Sequence, residues 1–340
     1  MATNTSPLSD FFAQHGADFI DVYGINVPLR CGNPGLEYQA ALEATLICDG
    51  AHRAWITVKG SDVCDFFQRI LSSDLHKLEI GGHQLSAMLD GKGRWIAELI
   101  LYRFKDSKNG EWNIGVDLPL ACRDAFMQKS EMMLFGEDVV FQPQNVARIK
   151  VLGAMPAIKH NAIEITRPDA GADCTELLFS EHSDAIKTIS RMHADGIQLG
   201  GWVAQDILRV ESGFPLWGSD FDTNYTLPAT NEWRRASITK GCYAGQEVVA
   251  RINTYGEAPR QLVQLQFSGD PQFMQGATVF DSEDKEVGKV SSWVFSPQRD
   301  MPIAFAYLKR SAAKSGTLLR AKLQQHSAPC LVVASEKVFG

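Results

Sequence analysis

The sequence predicts an α+β protein whose C-terminal part forms a small antiparallel β-barrel. Between residues 30 and 140, runs typical of β-strands alternate with runs of helical spacing. After Pro259 the pattern changes to short strands separated by Gly and Pro, as in small barrels. The seven cysteines include no CxxC pair, which excludes a zinc ribbon and makes free thiols in a reducing compartment the expectation.

The first part of the chain contains the clearer helix and hairpin signals. Ser61 has the chemistry of an N-cap, and the residues after it place Val63, Phe66 and Phe67 on one helical face. The sequence Asp90-Gly91-Lys92-Gly93 is a strong hairpin turn. The predicted elements are strands at Ala54–Lys59, Gln84–Asp90, Arg94–Phe104 and Val146–Leu152, and helices after Ser61, at Leu118–Leu134 and at Trp202–Ser212.

The change of pattern predicts a domain boundary near residue 258. Five short strands follow it, at Leu262–Phe267, Ala277–Asp281, Glu286–Val294, Ile303–Leu308 and Leu318–Gln324. From Ala258 onward the chain has ten Lys/Arg and seven Asp/Glu, so this part is modestly basic. An anionic partner would fit this charge, but a solvated surface is the favoured interpretation.

Charge and composition exclude several classes of function. The net charge of −7 argues against a large nucleic-acid footprint. The N-terminal segment has no basic residue before Arg30 and no long apolar run, so a cytoplasmic protein without a membrane segment is expected. The eight histidines show no HxxxH or HExxH spacing, so no metal site is predicted.

The densest local signal is KGCYAGQE, residues 240–247. A cysteine just before a predicted helix would be favoured as a thiolate by the helix dipole, and Lys240 would add to this if the two side chains converge. Gly241 and Gly245 would let the backbone approach a ligand closely. Cys242 is therefore the candidate functional thiol, against the alternative of a buried structural cysteine.

A second signal is the helix end that contains Arg209 and Glu211. On a helix these two residues point about 200° apart, so they cannot face one small ligand together. A carboxylate near the C-terminus of a helix is disfavoured by the dipole, and a ligand with two parallel N–H donors would satisfy it. The 2-amino and N3–H edge of a pterin has this shape. An exposed glutamate at a helix end is the alternative.

These segments resemble a known family. LPATNEWRRASITKGCYAGQEVVARINTYG, residues 227–256, closely resembles the signature of YgfZ-type folate-binding proteins, relatives of the glycine-cleavage T protein, an aminomethyltransferase. DILRVESGFPLWGSD, residues 206–220, resembles the segment of this superfamily that carries the pterin-binding glutamate, here Glu211. WITVKGSDVCDFFQRILSSDL and GGHQLSAMLDGKGRWIAELILYRF, residues 55–75 and 81–104, resemble the N-terminal half of the family. The resemblance covers roughly residues 36–310.

The resemblance implies a three-lobed T-protein-like fold that binds tetrahydrofolate or a one-carbon derivative. The expected division is an N-terminal extension (1–29), a folate-binding region of two interleaved lobes (30–257) and a barrel domain (258–340). Glu211 is the expected pterin ligand. The other residues expected near the cofactor are Arg209, Tyr243, Gly245, Gln246, Glu247 and Arg251.

One departure from the T protein concerns its catalytic aspartate. The T protein has an acidic pair in the strand after the glycine hairpin, whereas this chain has Arg94-Trp95-Ile96-Ala97-Glu98 there. Glu98 is longer by one methylene, which displaces the proton acceptor of a candidate base. The YgfZ branch instead implies a folate-dependent role in assembling or repairing iron–sulfur proteins, with an indirect effect on tRNA modification and Cys242 as the functional thiol.

Two other functions stay open. One is a folate-dependent aminomethyl- or methyltransferase that uses Glu98 as base. The other is a non-catalytic scaffold that has lost folate. The expected partners are folate and iron–sulfur client or assembly proteins. A single cysteine cannot hold a cluster by itself, because such clusters are usually held by four thiolates.

Overall fold

The structure is a computed structural model that describes residues 4–106, 110–256, 258–269 and 274–333. Its α-helices are α1 (Ser9–Gln14), α2 (Pro34–Glu43), α3 (Val63–Ile70), α4 (Arg123–Met132), α5 (His182–Ala194), α6 (Trp202–Glu211) and α7 (Gln246–Tyr255). Its strands are β1 (Asn4–Thr5), β2 (Asp18–Val22), β3 (Ile25–Arg30), β4 (Thr45–Asp49), β5 (Arg53–Gly60), β6 (His83–Leu89), β7 (Trp95–Arg103), β8 (Trp112–Pro119), β9 (Val140–Gln144), β10 (Ala147–Gly153), β11 (Ile163–Thr166), β12 (Cys174–Phe179), β13 (Gln198–Leu199), β14 (Arg260–Phe267), β15 (Thr278–Phe280), β16 (Glu286–Ser296), β17 (Met301–Lys309), β18 (Leu318–Leu323) and β19 (His326–Val333).

The chain forms two compact units, each built from separated stretches of sequence. The first comprises Met1–Thr57, Gly115–Arg123 and Phe141–Phe214. The second comprises Val58–Ile114, Asp124–Val140 and Pro215–Gly340. The chain passes from one unit to the other within β5, β8, α4 and β9 and once more after Phe214, so the units are interleaved in sequence. The predicted domain boundaries at residues 29 and 257 stay predictions.

The first unit is built on a five-stranded sheet with the order β11-β12-β10-β4-β13, and it also contains the small sheet β1-β3-β2. Its core includes Leu8 at the N-cap of α1, Phe12 from α1, and Ile189 and Met192 from α5, none of which has exposed surface. The apolar residues of α1 lie in the same core as those of the sheet, so the N-terminal segment contributes to this core.

The second unit contains the predicted helix after Ser61 and the predicted glycine hairpin. Helix α3 is amphipathic, and its apolar residues Val63, Phe66 and Phe67 are buried. The N-cap is Asp62 rather than Ser61, because Ser61 donates its backbone N–H and its hydroxyl to the carboxylate of Asp138. Strands β6 and β7 pair antiparallel in the sheet β6-β7-β8-β5-β9, as the hairpin signal predicts.

The C-terminal strands of the second unit close into a barrel with the order β14-β17-β16-β15-β18-β19. The barrel interior is apolar, and β14, β17 and β19 each contribute three of its buried residues. Five of the six strands are predicted from the sequence. The sixth, β19, contains Pro329, which lowers the strand signal because proline cannot donate to a sheet ladder. The predicted antiparallel barrel is confirmed.

The helix predicted at Leu118–Leu134 is wrong in its first part. Strand β8 extends to Pro119, and a single 3₁₀ turn over Leu120–Cys122 leads into α4, which begins at Arg123. Proline fixes φ and lacks an N–H, so it suits the end of a strand better than the interior of a helix.

Among the helices of the described residues, none is long and apolar enough to cross a membrane.

Candidate functional site

In the first unit, Glu211 is the last residue of α6. The hydroxyl of Tyr38, on α2, donates a hydrogen bond to Glu211 Oε2 at 2.7 Å. Tyr38 is buried and Glu211 is half-buried, so the contact fixes one carboxylate oxygen at the edge of the protein interior. The positively charged end of α6 lies at the opposite terminus, so the dipole does not favour this carboxylate and a hydrogen-bond donor beside it compensates.

The end of α6 is held by neighbouring polar contacts. Arg209 is buried; its Nε donates to Asp206 Oδ1 at 2.7 Å and one terminal nitrogen donates to the Phe214 carbonyl oxygen at 3.2 Å. Gly171 has φ +83°, and a Cβ there would lie 2.3 Å from the carbonyl oxygen of Leu208. The loop at Gly171 therefore packs directly on the helix backbone. Through these contacts Arg209 holds the C-terminal end of α6, which carries Glu211, in position.

In the second unit, Lys240 is directed at the end of α3. Its ammonium nitrogen donates to the carbonyl oxygens of Gln68, Leu71 and Ser73 at 2.7, 2.6 and 2.8 Å. An ammonium has three N–H donors, so all of them have carbonyl partners. Burial lowers the pKa of Lys240 to about 8. The sequence left open whether the Lys240 ammonium lies beside the Cys242 thiol. In the structure the ammonium instead contacts carbonyl groups about 170 positions earlier in the chain.

Cys242 lies at the exposed tip of a short loop between two buried residues. Lys240 and Tyr243 are 7% exposed each, whereas Gly241 and Cys242 are exposed. The loop is closed by hydrogen bonds: Gln246 Nε2 donates to the Lys240 carbonyl oxygen at 3.1 Å, and the Tyr243 hydroxyl donates to the carbonyl oxygen of Ser237 at 3.4 Å. The buried residues Lys240 and Tyr243 hold the loop on both sides of Cys242, and the thiol is exposed to solvent.

A helix follows the loop as predicted, but it begins at Gln246, four residues after Cys242. The dipole acts mainly within the first turn, so Cys242 lies outside the part of the helix where it is strongest. Gly245 is the N-cap and has φ +81°. Glu247 and Arg251 are exposed and one helical turn apart, which places them on the same face of α7.

The Cys242 loop rests on the glycine hairpin. A Cβ at Gly245 would lie 2.6 Å from the carbonyl oxygen of Asp90 and 2.8 Å from Gly93 Cα. Gly93 itself has φ +71°, and its carbonyl oxygen accepts from the backbone N–H of Leu227. The glycines of both motifs are therefore needed for close backbone packing between them.

The other six cysteines differ from Cys242 in their exposure. Cys31 is half-buried and the other five are buried. Burial raises the pKa of Cys174 and of Cys330 to about 12, so these thiols keep their protons at neutral pH. Cys64 Sγ lies 3.7 Å from His76 Nδ1, a contact that sequence reasoning missed, although burial raises the pKa of this thiol as well.

Glu98 lies on β7 and is 3% exposed. Its Oε1 is 3.4 Å from a terminal nitrogen of Arg235, whose Nε donates to Glu232 Oε2 at 2.9 Å. Arg235 is 2% exposed, so one buried guanidinium is shared by two carboxylates. A buried, ion-paired carboxylate is suited to holding Arg235 in place, and a substrate would have to reach it in the interior for it to take a proton.

Comparison with known protein families finds two domain matches in this chain. Residues 8–109 match the GCVT N-terminal domain, and residues 260–338 match the glycine cleavage T-protein C-terminal barrel domain. The chain thus matches the models of both domains, N-terminal and C-terminal, that are named after the glycine-cleavage T protein. The second match begins at the first residue of β14, so it coincides with the closed barrel of this T-protein-like chain.

Relatives of T-protein type extend over nearly the whole chain. An aminomethyltransferase from Rippkaea orientalis is 27% identical over 355 residues, which cover 96% of this chain and 95% of that protein. An aminomethyltransferase from Saccharopolyspora erythraea is 25% identical over 357 residues, which cover 97% of this chain and 96% of that protein.

A solved T protein also has the same fold. The crystal structure of glycine cleavage system aminomethyltransferase T from Bartonella henselae matches with a TM-score of 0.87 over 99% of this chain and 98% of that chain, at 21% identity. This likeness establishes the fold. The predicted α+β, T-protein-like fold is thereby confirmed, whereas the assignment to the YgfZ branch stays a prediction.

Proposed function

We propose that this T-protein-like chain binds tetrahydrofolate or a one-carbon derivative and takes part in one-carbon transfer of the aminomethyltransferase type. The observation that carries the proposal is the carboxylate of Glu211, held at the end of α6 by the Tyr38 hydroxyl at 2.7 Å. Full-length relatives named aminomethyltransferase support the same class of reaction.

The residues around Glu211 fit the chemistry of a pterin. The 2-amino and N3–H groups of the pterin edge are two parallel donors, which a carboxylate accepts in a bidentate arrangement. Such a pair also offsets the unfavourable position of an anion at the C-terminus of a helix. When bound, tetrahydrofolate supplies amine nitrogens that carry the one-carbon unit. Glu211 would bind and orient the pterin, Tyr38 would hold Glu211, and Arg209 would keep the helix end in place.

A titration of tetrahydrofolate by calorimetry tests folate binding. The wild-type chain is expected to bind one equivalent, and Glu211→Gln, which keeps the size but removes the charge, is expected to weaken binding by about 10- to 100-fold. Tyr38→Phe is expected to weaken it about tenfold, because Glu211 loses the hydrogen bond from the Tyr38 hydroxyl. The exposed residue Glu43 on α2 gives a matched control, Glu43→Gln, with unchanged binding. Wild-type protein that does not bind folate would instead support the scaffold that has lost it.

Turnover is tested separately with an aminomethyl donor on a carrier thiol. If Glu98 acts as base, Glu98→Gln abolishes formation of the methylene form of tetrahydrofolate while folate affinity stays unchanged. Retained turnover in the folded Glu98→Gln protein would show that Glu98 only holds Arg235. No turnover of the wild-type protein with any such donor would contradict the transferase and leave a folate-binding protein.

A second candidate function is suggested by Cys242. Its thiol is exposed on an anchored loop, while the other six cysteines are buried or half-buried. This favours the folate-dependent role in assembly or repair of iron–sulfur proteins that the KGCYAGQE motif implies, with tRNA modification affected indirectly. Among the described residues no group of three or more His, Cys, Asp or Glu could hold a metal, so a cluster would need ligands from another molecule.

This second role is tested by complementation. In a strain that lacks the protein, we expect Cys242→Ser to lose the activity of iron–sulfur enzymes that the wild-type chain restores, and Cys31→Ser to restore it. The purified Cys242→Ser protein is expected to bind folate normally, which separates the thiol from the folate site. Full restoration by Cys242→Ser would remove the role of this thiol.

A further inference from the structure

Two histidines that are far apart in sequence lie against each other on the first unit. His15 follows the last residue of α1, and His193 lies in the last turn of α5. Their ring centroids are 4.6 Å apart with an angle of 82° between the ring planes. The ring of Phe11 is 4.4 Å from that of His15 and 6.2 Å from that of His193. The pair belongs to neither candidate functional site described above.

Hydrogen bonds fix both rings in the same tautomer. His15 Nδ1 lies 2.7 Å from the carbonyl oxygen of Phe11, and His193 Nδ1 lies 3.2 Å from the carbonyl oxygen of Ile197. A carbonyl oxygen only accepts hydrogen bonds, so each Nδ1 carries the proton. In the neutral ring the lone pair is then on Nε2. Histidines that bind metals have this arrangement, with the second ring N–H donated to a carbonyl or carboxylate group.

The surroundings combine access with a rigid support. Both rings line a cavity of about 460 Å³, together with Asp10, Gln14 and Ser190. His15 is exposed and His193 half-buried, so an ion can reach them from solvent. The backbone behind them is fixed by fully buried residues of both helices, among them Phe12 on α1 and Met192 on α5. The two imidazoles are thus held close together without relying on a flexible loop.

We propose that His15 and His193 form a binding site for a divalent transition metal ion at the contact between α1 and α5. The ion would be bound by the two Nε2 atoms, and its remaining positions would be filled by water. Imidazole suits Cu²⁺, Ni²⁺ and Zn²⁺, with Cu²⁺ the tightest in this order. No third His, Cys, Asp or Glu completes the set within the described part of the chain, so the site is open and exchangeable. The proposal is independent of folate binding.

The test is a titration of the purified 340-residue chain with Cu²⁺ and with Zn²⁺. It is done in a Cys242→Ser background, because an exposed thiol is itself a metal ligand. One equivalent is expected to bind and to raise the temperature of thermal unfolding, since a ligand that binds only the folded state stabilises it. His15→Gln and His193→Gln are each expected to lower the affinity by about tenfold or more. His182→Gln, at the start of the same helix α5, is the matched control and should leave it unchanged.

Electron paramagnetic resonance of the Cu²⁺ complex separates ligation from a structural effect. Hyperfine coupling to two nitrogens is expected in the background protein and coupling to one in each single variant. The proposal would be overturned by one-nitrogen spectra in the background protein, by unchanged affinity in both variants, or by no binding at millimolar metal.

Discussion

The ammonium nitrogen of Lys240 lies 2.6 Å from the carbonyl oxygen of Leu71, the C-cap residue of α3. The last carbonyl groups of a helix have no partners within the helix, and a cation is favoured there by the dipole. Lys240 supplies both the charge and the donors from a segment 169 positions later in the chain. Lys240, two residues before Cys242, therefore anchors the Cys242 loop to the C-terminal end of α3.

Lys240→Met is expected to lower the free energy of unfolding by about 3 kcal/mol, because it leaves buried carbonyl groups without donors while keeping a side chain of similar length. Urea denaturation of the purified protein measures the effect. Lys92→Met, on the exposed hairpin turn, is the control and is expected to change stability by less than about 0.5 kcal/mol. Equal stability of the two variants would contradict the role assigned to the three carbonyl contacts.

Gly245→Ala is expected to destabilise the protein by about 2 kcal/mol or more, because its backbone has φ +81° and the new Cβ would clash with Asp90. Gly241→Ala provides the matched substitution four residues earlier, where a Cβ meets no atom within 4 Å. Thermal unfolding of both variants is the measurement. A similar loss of stability in both would show that close packing on the hairpin is not the cause.

One thiol is expected to react rapidly with a maleimide in the native protein, and it is Cys242, because the remaining cysteines are buried or half-buried. Mass spectrometry after a short reaction should show a single adduct, located by peptide mapping. Cys242→Ser should abolish the fast phase, while the remaining thiols react after unfolding in guanidinium chloride. A fast phase of unchanged size in Cys242→Ser would place the reactive thiol elsewhere.

Stability is expected to depend on pH through Asp49, a buried residue at the end of β4. Burial raises the pKa of Asp49 from its ordinary value of 3.8 to about 6, and its Oδ2 has no hydrogen-bond partner among the described atoms. Between these two values the folded state binds more protons than the unfolded state. The contribution of Asp49 is therefore fully present below pH 4 and is lost as the pH rises through 6, an effect of about 3 kcal/mol.

The variant Asp49→Asn removes this titration. The difference in free energy of unfolding between wild type and variant, measured by urea denaturation from pH 4 to pH 7, should decrease as the pH rises. A difference between wild type and Asp49→Asn that stays constant over this range would show that Asp49 titrates alike in both states.

The local elements of the fold could be predicted because their signals lie within a few residues. The spacing of Val63, Phe66 and Phe67 indicates the buried face of α3, and the turn at Asp90–Gly93 indicates the pairing of β6 with β7. The Gly and Pro pattern after residue 259 indicates the barrel strands. The sequence pattern does not indicate β19, because Pro329 weakens its strand signal. It places the start of the next helix, α4, too early, because Pro119 still belongs to the preceding strand β8.

The sequence by itself determined which residues carry candidate chemistry. These are Glu211, at a helix end, and Cys242, in the KGCYAGQE motif that resembles the YgfZ-type signature. Only the tertiary structure decided what surrounds them. Tyr38 reaches Glu211 across 173 positions, Arg235 reaches Glu98 across 137, and Lys240 turns to the end of α3. A side chain's partners depend on which distant elements fold against it. Periodicity and short motifs report neighbours along the chain, so they contain no signal for these contacts.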